Sequence, residues 1–288
     1  MSRLPDGVTL RDATSEDLPA IAALRESVGW GVHEWALRAV IGEPSARCLV
    51  AADGNAQLIA VGSGIAYGPL GFVGNMVVAP DVQRRGLGSA ILNGVIGFLE
   101  AAGCVRLELN ATSEGRPLYE RHGFHSTGTS ATAEIPRGLS LTADPSLDVR
   151  VAAIADLEAL CSYDRPRFGG DRRRILELLL ADAGATVLAA ATANELAGYA
   201  CVRADGGRIG PFLADAPTVA ETLLASAFDQ APDVERLRLN LPPGNEIGAR
   251  WLRGLGVETV GWDGRMARGA DVPKREETLY GMAVGALG

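Results

Sequence analysis

The chain has 288 residues, enough for about two domains at roughly 150 residues each, and 47% of them are hydrophobic against 22% charged. That composition excludes a disordered chain, and no uncharged apolar stretch reaches the roughly 18 residues a membrane span requires. With 27 basic against 35 acidic side chains the net charge is −8, which repels phosphate backbones, so small molecules or proteins are expected as partners, not nucleic acid or membrane.

In chain order, a strand over 8–11 leads to Thr14, an N-cap with Asp17 three residues on, and a helix to about Ser27. A second helix is expected over 32–41. Three apolar, β-branched runs at 47–52, 56–67 and 71–79 read as a meander of strands. From 88 to 102, Ile91, Leu92, Val95, Ile96 and Leu99 have the spacing of one buried helical face. A strand at 105–110, a short helix at 114–122 and a last strand or pair at 124–136 complete the order β-α-α-β-β-β-α-β-α-β.

The chain then repeats itself. Leu10, Arg11, Ala13, Asp17, Leu18 and Ala20 recur 139 positions later as Val149, Arg150, Ala152, Asp156, Leu157 and Ala159. Gly62 and Gly74 find Gly198 and Gly210 at an offset of 136, VRLEL at 105–109 returns as LRLNL at 237–241, and Gly123 matches Gly256. Matches in one order with a slowly shrinking offset predict two copies of one fold, 1–140 and 146–288, joined near the Gly-, Ser- and Pro-rich stretch 137–146. Cys48, Cys104, Cys161 and Cys201 are widely spaced and each sits in an apolar run, so they read as buried thiols. With only three histidines (His33, His122, His125), no metal site is signalled. The amino terminus shows no secretory pattern, and a cytoplasmic location is expected.

The chemistry points to VVAPDVQRRGLGSAIL, residues 77–92. A strand ends at Pro80, a glycine loop follows and a helix begins at once, so the free N–H groups of its first turn and the helix dipole converge on one spot that suits a pyrophosphate. Gly86 and Gly88 permit close approach, and Arg84 and Arg85 supply charge. A Walker loop is absent, and a dinucleotide fingerprint lacks its third glycine, where Ile91 stands.

The pattern Gln83-x-x-Gly86-x-Gly88 after an apolar strand resembles the hallmark loop of the GNAT acetyltransferase superfamily, and the resemblance runs in order through the whole first copy. It implies an α/β (α+β) fold of two tandem GNAT-like domains, each a mixed, mostly antiparallel sheet flanked by helices, and it implies acetyl-CoA as cofactor. The backbone from Arg84 through Gly86, Leu87 and Gly88 to Ser89 is then expected at the pyrophosphate, with Gln83 in the motif, and the main chain at Met76, Val77 and Val78 beside the pantetheine. LNATSEGRPLYERHGF, 109–124, is similar to the distal motif of the family, in which a tyrosine at the position of Tyr119 protonates the departing thiolate. Thr112 stands where many members have asparagine, and Asn110 is the substitute.

On the acceptor side, Gly29-Trp30-Gly31-Val32-His33-Glu34-Trp35 corresponds to the loop that roofs the substrate pocket in such folds, so Trp30, His33, Glu34 and Trp35 are substrate candidates. His33, Glu34, Glu108 and a water held by Asn75 are the candidate bases. The second copy has IGPFLADAPTVAETLL in place of the glycine loop, Asp215 where an anion would be repelled, and Leu252 opposite Tyr119. With DRPRFGGDRR, RMARG and LYGMAVGALG it resembles the second half of a tandem GNAT subgroup; the charged run 164–173 reads either as a solvated face or as a lid whose Arg165, Arg167 and Arg172 attract an acidic group on the substrate. Two functions follow: an N-acetyltransferase acting on a primary amine of a small molecule or peptide, as monomer or homodimer, or an acyl-CoA-binding regulatory module without turnover. An acid placed beside the cofactor sulfur favours the enzyme.

Overall fold

The computed structural model describes residues 4–31, 34–193 and 195–288. The first copy runs β1 (Thr9–Asp12), α1 (Leu18–Glu26), α2 (Glu34–Arg38), β2 (Ala46–Ala52), β3 (Leu58–Ala66), β4 (Leu70–Val78), α3 (Leu87–Ala101), β5 (Arg106–Ala111), α4 (Arg116–Arg121) and β6 (His125–Pro136). The second runs β7 (Asp148–Val151), α5 (Leu157–Phe168), α6 (Arg173–Ala181), β8 (Ala185–Thr192), β9 (Glu195–Arg203), β10 (Arg208–Ala214), α7 (Pro217–Gln230), β11 (Arg236–Leu241), α8 (Glu246–Gly254) and β12 (Thr259–Gly269). It adds a short strand, β13 (Leu279–Gly281). The element order matches the expectation, with the final strand or pair resolved as the single β6. The second helix ends at Arg38, short of 41, ahead of Gly42 with φ 75°.

The repeat is visible in side chains as well as in order. Arg11 grips Asp17 with two hydrogen bonds of 2.7 and 2.8 Å while Asp17 accepts from the Thr14 N–H, and Arg150, Asp156 and the Ala153 N–H do the same 139 positions later. These arginine bonds hold both carboxyls down to about 2. Gly62 and Gly198 are equivalent too. A Cβ on Gly62 would lie 2.4 Å from Ile91 of α3, and one on Gly198 would lie 2.8 Å from Val219 of α7, so each glycine lets the long helix settle on its strand.

The two copies join in one 13-stranded sheet, ordered β1-β2-β3-β4-β5-β12-β6-β11-β10-β9-β8-β7, with β13 on β10. The last strands are exchanged. β12 pairs with β5, β6 pairs with β11, and β12 and β6 pair with each other, all antiparallel. The exchange gives both central strands, β12 and β6, a partner on each side, and the segment 137–146 links halves that are interleaved rather than side by side. The α3 face of Ile91, Leu92, Val95, Ile96 and Leu99 is buried as its spacing predicts, each side chain contributing about 1.5–3 kcal/mol. A further core runs across both copies, where Leu37 and Val40 near α2 share one cluster with Ile175 and Leu179 of α6. All four cysteines are free and buried, and burial pushes Cys48 and Cys201 up to about 12. No helix among the described residues is long and apolar enough to cross a membrane.

Candidate active site

A parting of strands makes the site. β4 and β5 pair in parallel only through Leu70–Phe72 and Arg106–Glu108. The β3–β4 register then slips between Val61 and Ser63, and Asn75 adopts a left-handed backbone, φ 55°, so β4 turns away from β5. Beyond Phe72 the far edge of β4 has no strand partner among the described residues, and a groove of about 1060 Å³ opens there.

The loop 79–86 and the start of α3 close one end of the groove. Arg84 (φ 62°) and Gly86 (φ 87°) are left-handed, the backbone type in which successive main-chain N–H groups can face one anion, directly ahead of the first turn of α3. Gln83 donates from Nε2 to the Val78 carbonyl at 3.1 Å and ties the loop to the end of β4. Of the twelve residues expected around the cofactor, ten line this groove, and Arg85 and Asn110 do not. Arg85 turns back to the Asp81 carbonyl at 3.4 Å. Asn110 is spent on the chain's own last segment, donating to the Gly285 carbonyl at 2.9 Å and accepting from Ser130. The groove suits an extended phosphorylated ligand: a glycine loop and the first turn of α3 line it, and so does the strand edge of β4 that has no strand partner among the described residues.

At its inner end the groove meets a second cavity of about 970 Å³, and Trp30, Met76, Thr112 and Tyr119 line both. Tyr119 is buried, its ring edge-on to Phe124 at 6.1 Å. It is placed there by the start of α4, where the Gly115 N–H donates to Thr112 Oγ1 at 3.1 Å. A Cβ on Gly115 would come within 3.2 Å of the Tyr119 ring. Asn75 also lines the second cavity, and each end of its carboxamide is bonded: the oxygen accepts from Arg25 and the nitrogen donates to Ser63 Oγ at 2.9 Å.

Several acceptor candidates lie elsewhere. Glu34 is exposed and paired with Arg38 four residues on. Trp35 is partly buried in the shared core, 5.7 Å from the Arg203 guanidinium, and lines neither cavity. His33 falls outside the described residues. Arg165 pairs with Asp171 at the surface, and Arg167 with Asp215 at 2.6 Å. Arg172 is fully buried, bonded to Asp164 at 2.5 and 3.1 Å and to Tyr199, with Phe168 under its guanidinium, so it braces the second copy and does not face a substrate. Glu108 sits among Arg106, Arg265 and Lys274 at 2.7–3.2 Å. Burial raises its pKa, but Arg265, Lys274 and Arg106 outweigh that and hold it down to about 2, which removes it as a base.

Two features were not anticipated. The sheet face built from Arg208, Arg236, Arg238 and Asn240 of the second copy, with Thr132 and Glu134 of β6, forms one wall of the second cavity. The alternation in RLRLNL, 236–241, is the sequence signal for that face. The other feature is the segment after β13. It crosses from one cleft to the other, with the Met282 carbonyl 2.1 Å from where a Cβ on Gly210 would stand and the Ala286 carbonyl 2.3 Å from that on Gly74. These are the glycines matched in the repeat, and both stay bare because this main chain passes over them.

In the second copy the corresponding parting of β10 from β11 follows their single paired position, Arg208 with Arg238. It is filled by β13, which pairs with Phe212 and Leu213 of β10. Only Asp215 and Ala216 separate β10 from α7, whose first residue is Pro217, so there is no loop to cradle an anion and one N–H fewer. Leu252 is buried in the core.

The two copies share a fold in which strands part beside the long helix, and the cleft so formed is open in the first copy and filled by β13 in the second. Residues 44–126 and residues 160–281 each match a family model described as an acetyltransferase (GNAT) domain. The chain belongs to the GNAT acetyltransferases, as a tandem of two such domains. It is 28% identical over 180 residues to the uncharacterised N-acetyltransferase YitH of Bacillus subtilis (strain 168), a match spanning 61% of this chain and 62% of that one. In fold it is similar to a proposed acetyltransferase from Pyrococcus horikoshii (TM-score 0.83, 22% identity, covering 100% of this chain and 99% of that). It is also similar to a GCN5-related N-acetyltransferase from Sphaerobacter thermophilus (TM-score 0.69, 17%, covering 94% and 100%).

Proposed function

We propose that the protein transfers the acetyl group of acetyl-CoA directly to a primary amine, and that the first copy alone carries the chemistry. The observation that supports this reading is the pair of cavities that share Trp30, Met76, Thr112 and Tyr119, so that a donor in one and an acceptor in the other would meet beside Tyr119. The N–H groups from Arg84 to Ser89 hold the diphosphate, and the free edge of β4 pairs with the pantetheine arm. Tyr119 donates its hydroxyl proton to the departing thiolate. Holding both reactants together supplies much of the acceleration by proximity and orientation. A module that only sensed acyl-CoA would have no use for a second cavity opening onto Tyr119.

The test is thiol release from acetyl-CoA across a panel of primary amines, with mass spectrometry of the acetylated product. Release above the hydrolytic background with at least one amine is expected, and release with none counts against transfer. Because β13 fills the second cleft, titration calorimetry should give one acetyl-CoA per chain; two per chain would overturn the assignment of a single cofactor site.

A further inference from the structure

We propose that the amine accepted in the second cavity carries an anionic group, a carboxylate or phosphate, held by Arg208 and Arg236 of the second copy. The proposal rests on the transfer reading above and adds the substrate class. The cavity is lined by four arginines, Arg25, Arg208, Arg236 and Arg238, against two carboxylates, Glu134 and Glu258, a local excess of positive charge in a chain of net charge −8. Glu134 is taken by Arg238 at 2.8 Å, and Glu258 stands exposed without an ion pair among the described residues.

The remaining arginines have no carboxylate partner among the described residues. Arg25 is buried, and its neighbours are neutral: the Asn75 carboxamide oxygen, the Gly31 carbonyl at 2.8 Å and the Trp30 ring at 5.5 Å, with Nε unbonded. Arg208 is half-buried, and with the Asn240 carboxamide turned so that its oxygen faces the guanidinium, that oxygen accepts from Arg208 at 3.0 Å. It stands directly opposite Arg238 in the β10–β11 pair, with Arg236 two residues away on the same face. Arg208 is thus half withdrawn from water without a counter-ion, which is costly, while Arg236 is exposed beside it and unpaired among the described residues. Burial lowers the pKa of Arg25, and burial with Arg238 lowers that of Arg208. The copy that lost the cofactor cleft thus supplies the anion-binding wall, from the alternating face of β11.

Two measurements test this. The first compares matched amines at saturating acetyl-CoA: 4-aminobutanoate with 4-aminobutanamide, and phosphoethanolamine with ethanolamine. One anionic member should exceed its neutral counterpart at least tenfold in kcat/KM, and the winning pair tells carboxylate from phosphate. In the variant carrying Arg208→Gln and Arg236→Gln that preference should collapse while the KM for acetyl-CoA stays unchanged. Neutral amines accepted as well as anionic ones would overturn the proposal and leave the transfer reading standing. The second measurement needs no turnover: calorimetric titration of inorganic phosphate and of glutarate into protein saturated with CoA. Saturable binding weakened at least tenfold in the double variant is expected, and would support the anion site even if no amine were acetylated. No saturable binding to the wild type, or binding indifferent to both substitutions, would overturn it.

Discussion

Gly88→Glu is expected to weaken acetyl-CoA binding by about 100-fold or more while leaving the protein folded. Gly88 lies in the first turn of α3 and lines the groove. A carboxylate there would sit at a helix N-terminus, which favours negative charge, so the fold does not suffer. It would occupy the same N–H groups the diphosphate needs and repel the diphosphate at close range, a loss of several kcal/mol. Gly88→Ala separates charge from bulk. Its Cβ would meet the end of the Leu118 side chain at 3.2 Å and Val78 at 3.8 Å, contacts that a flexible leucine can relieve, so near-normal affinity is expected. Calorimetry together with a thermal melt decides the matter: unchanged affinity in Gly88→Glu would remove the loop from the cofactor site.

Tyr119→Phe should lower kcat by roughly 10- to 1,000-fold with little change in the KM for acetyl-CoA, the scale of a lost general acid. The substitution keeps the ring, its edge-on contact with Phe124 and the space over Gly115, so packing is retained and only the hydroxyl is removed. Single-turnover measurement isolates the chemical step. A rate equal to wild type there would reduce Tyr119 to an aromatic that walls both cavities.

Much of the first copy was legible in the sequence because its signals are local. The helical period of Ile91, Leu92, Val95, Ile96 and Leu99 is written within one element, and so is the glycine loop between a strand and a helix. Burial of one face and freedom of a few N–H groups depend on neighbours a few residues away. The repeat was legible for a related reason: the Arg11–Asp17 clasp and the Gly62 contact are short-range devices, so they recur at Arg150–Asp156 and Gly198 with the same spacing.

What the tertiary structure decided concerns residues far apart in the chain. Arg165 and Arg172 look in the sequence like charges awaiting a substrate, yet Asp171 and Asp164 neutralise them at home. Glu108 looks like a base until Arg265 and Lys274, more than 150 positions on, hold it ionised. Asn110 looks like a cofactor ligand until Gly285 claims it. The exchange of β6 and β12 brings Thr132 and Glu134 beside Arg238 and Asn240, and so creates a cavity wall that neither copy has by itself. Local pattern determined which residues form strands and helices and where an anion meets a helix. Strand pairing across the two copies decided which charges are spent and which are left facing the cavity, because a side chain's partner is set by register, not by its place in the sequence.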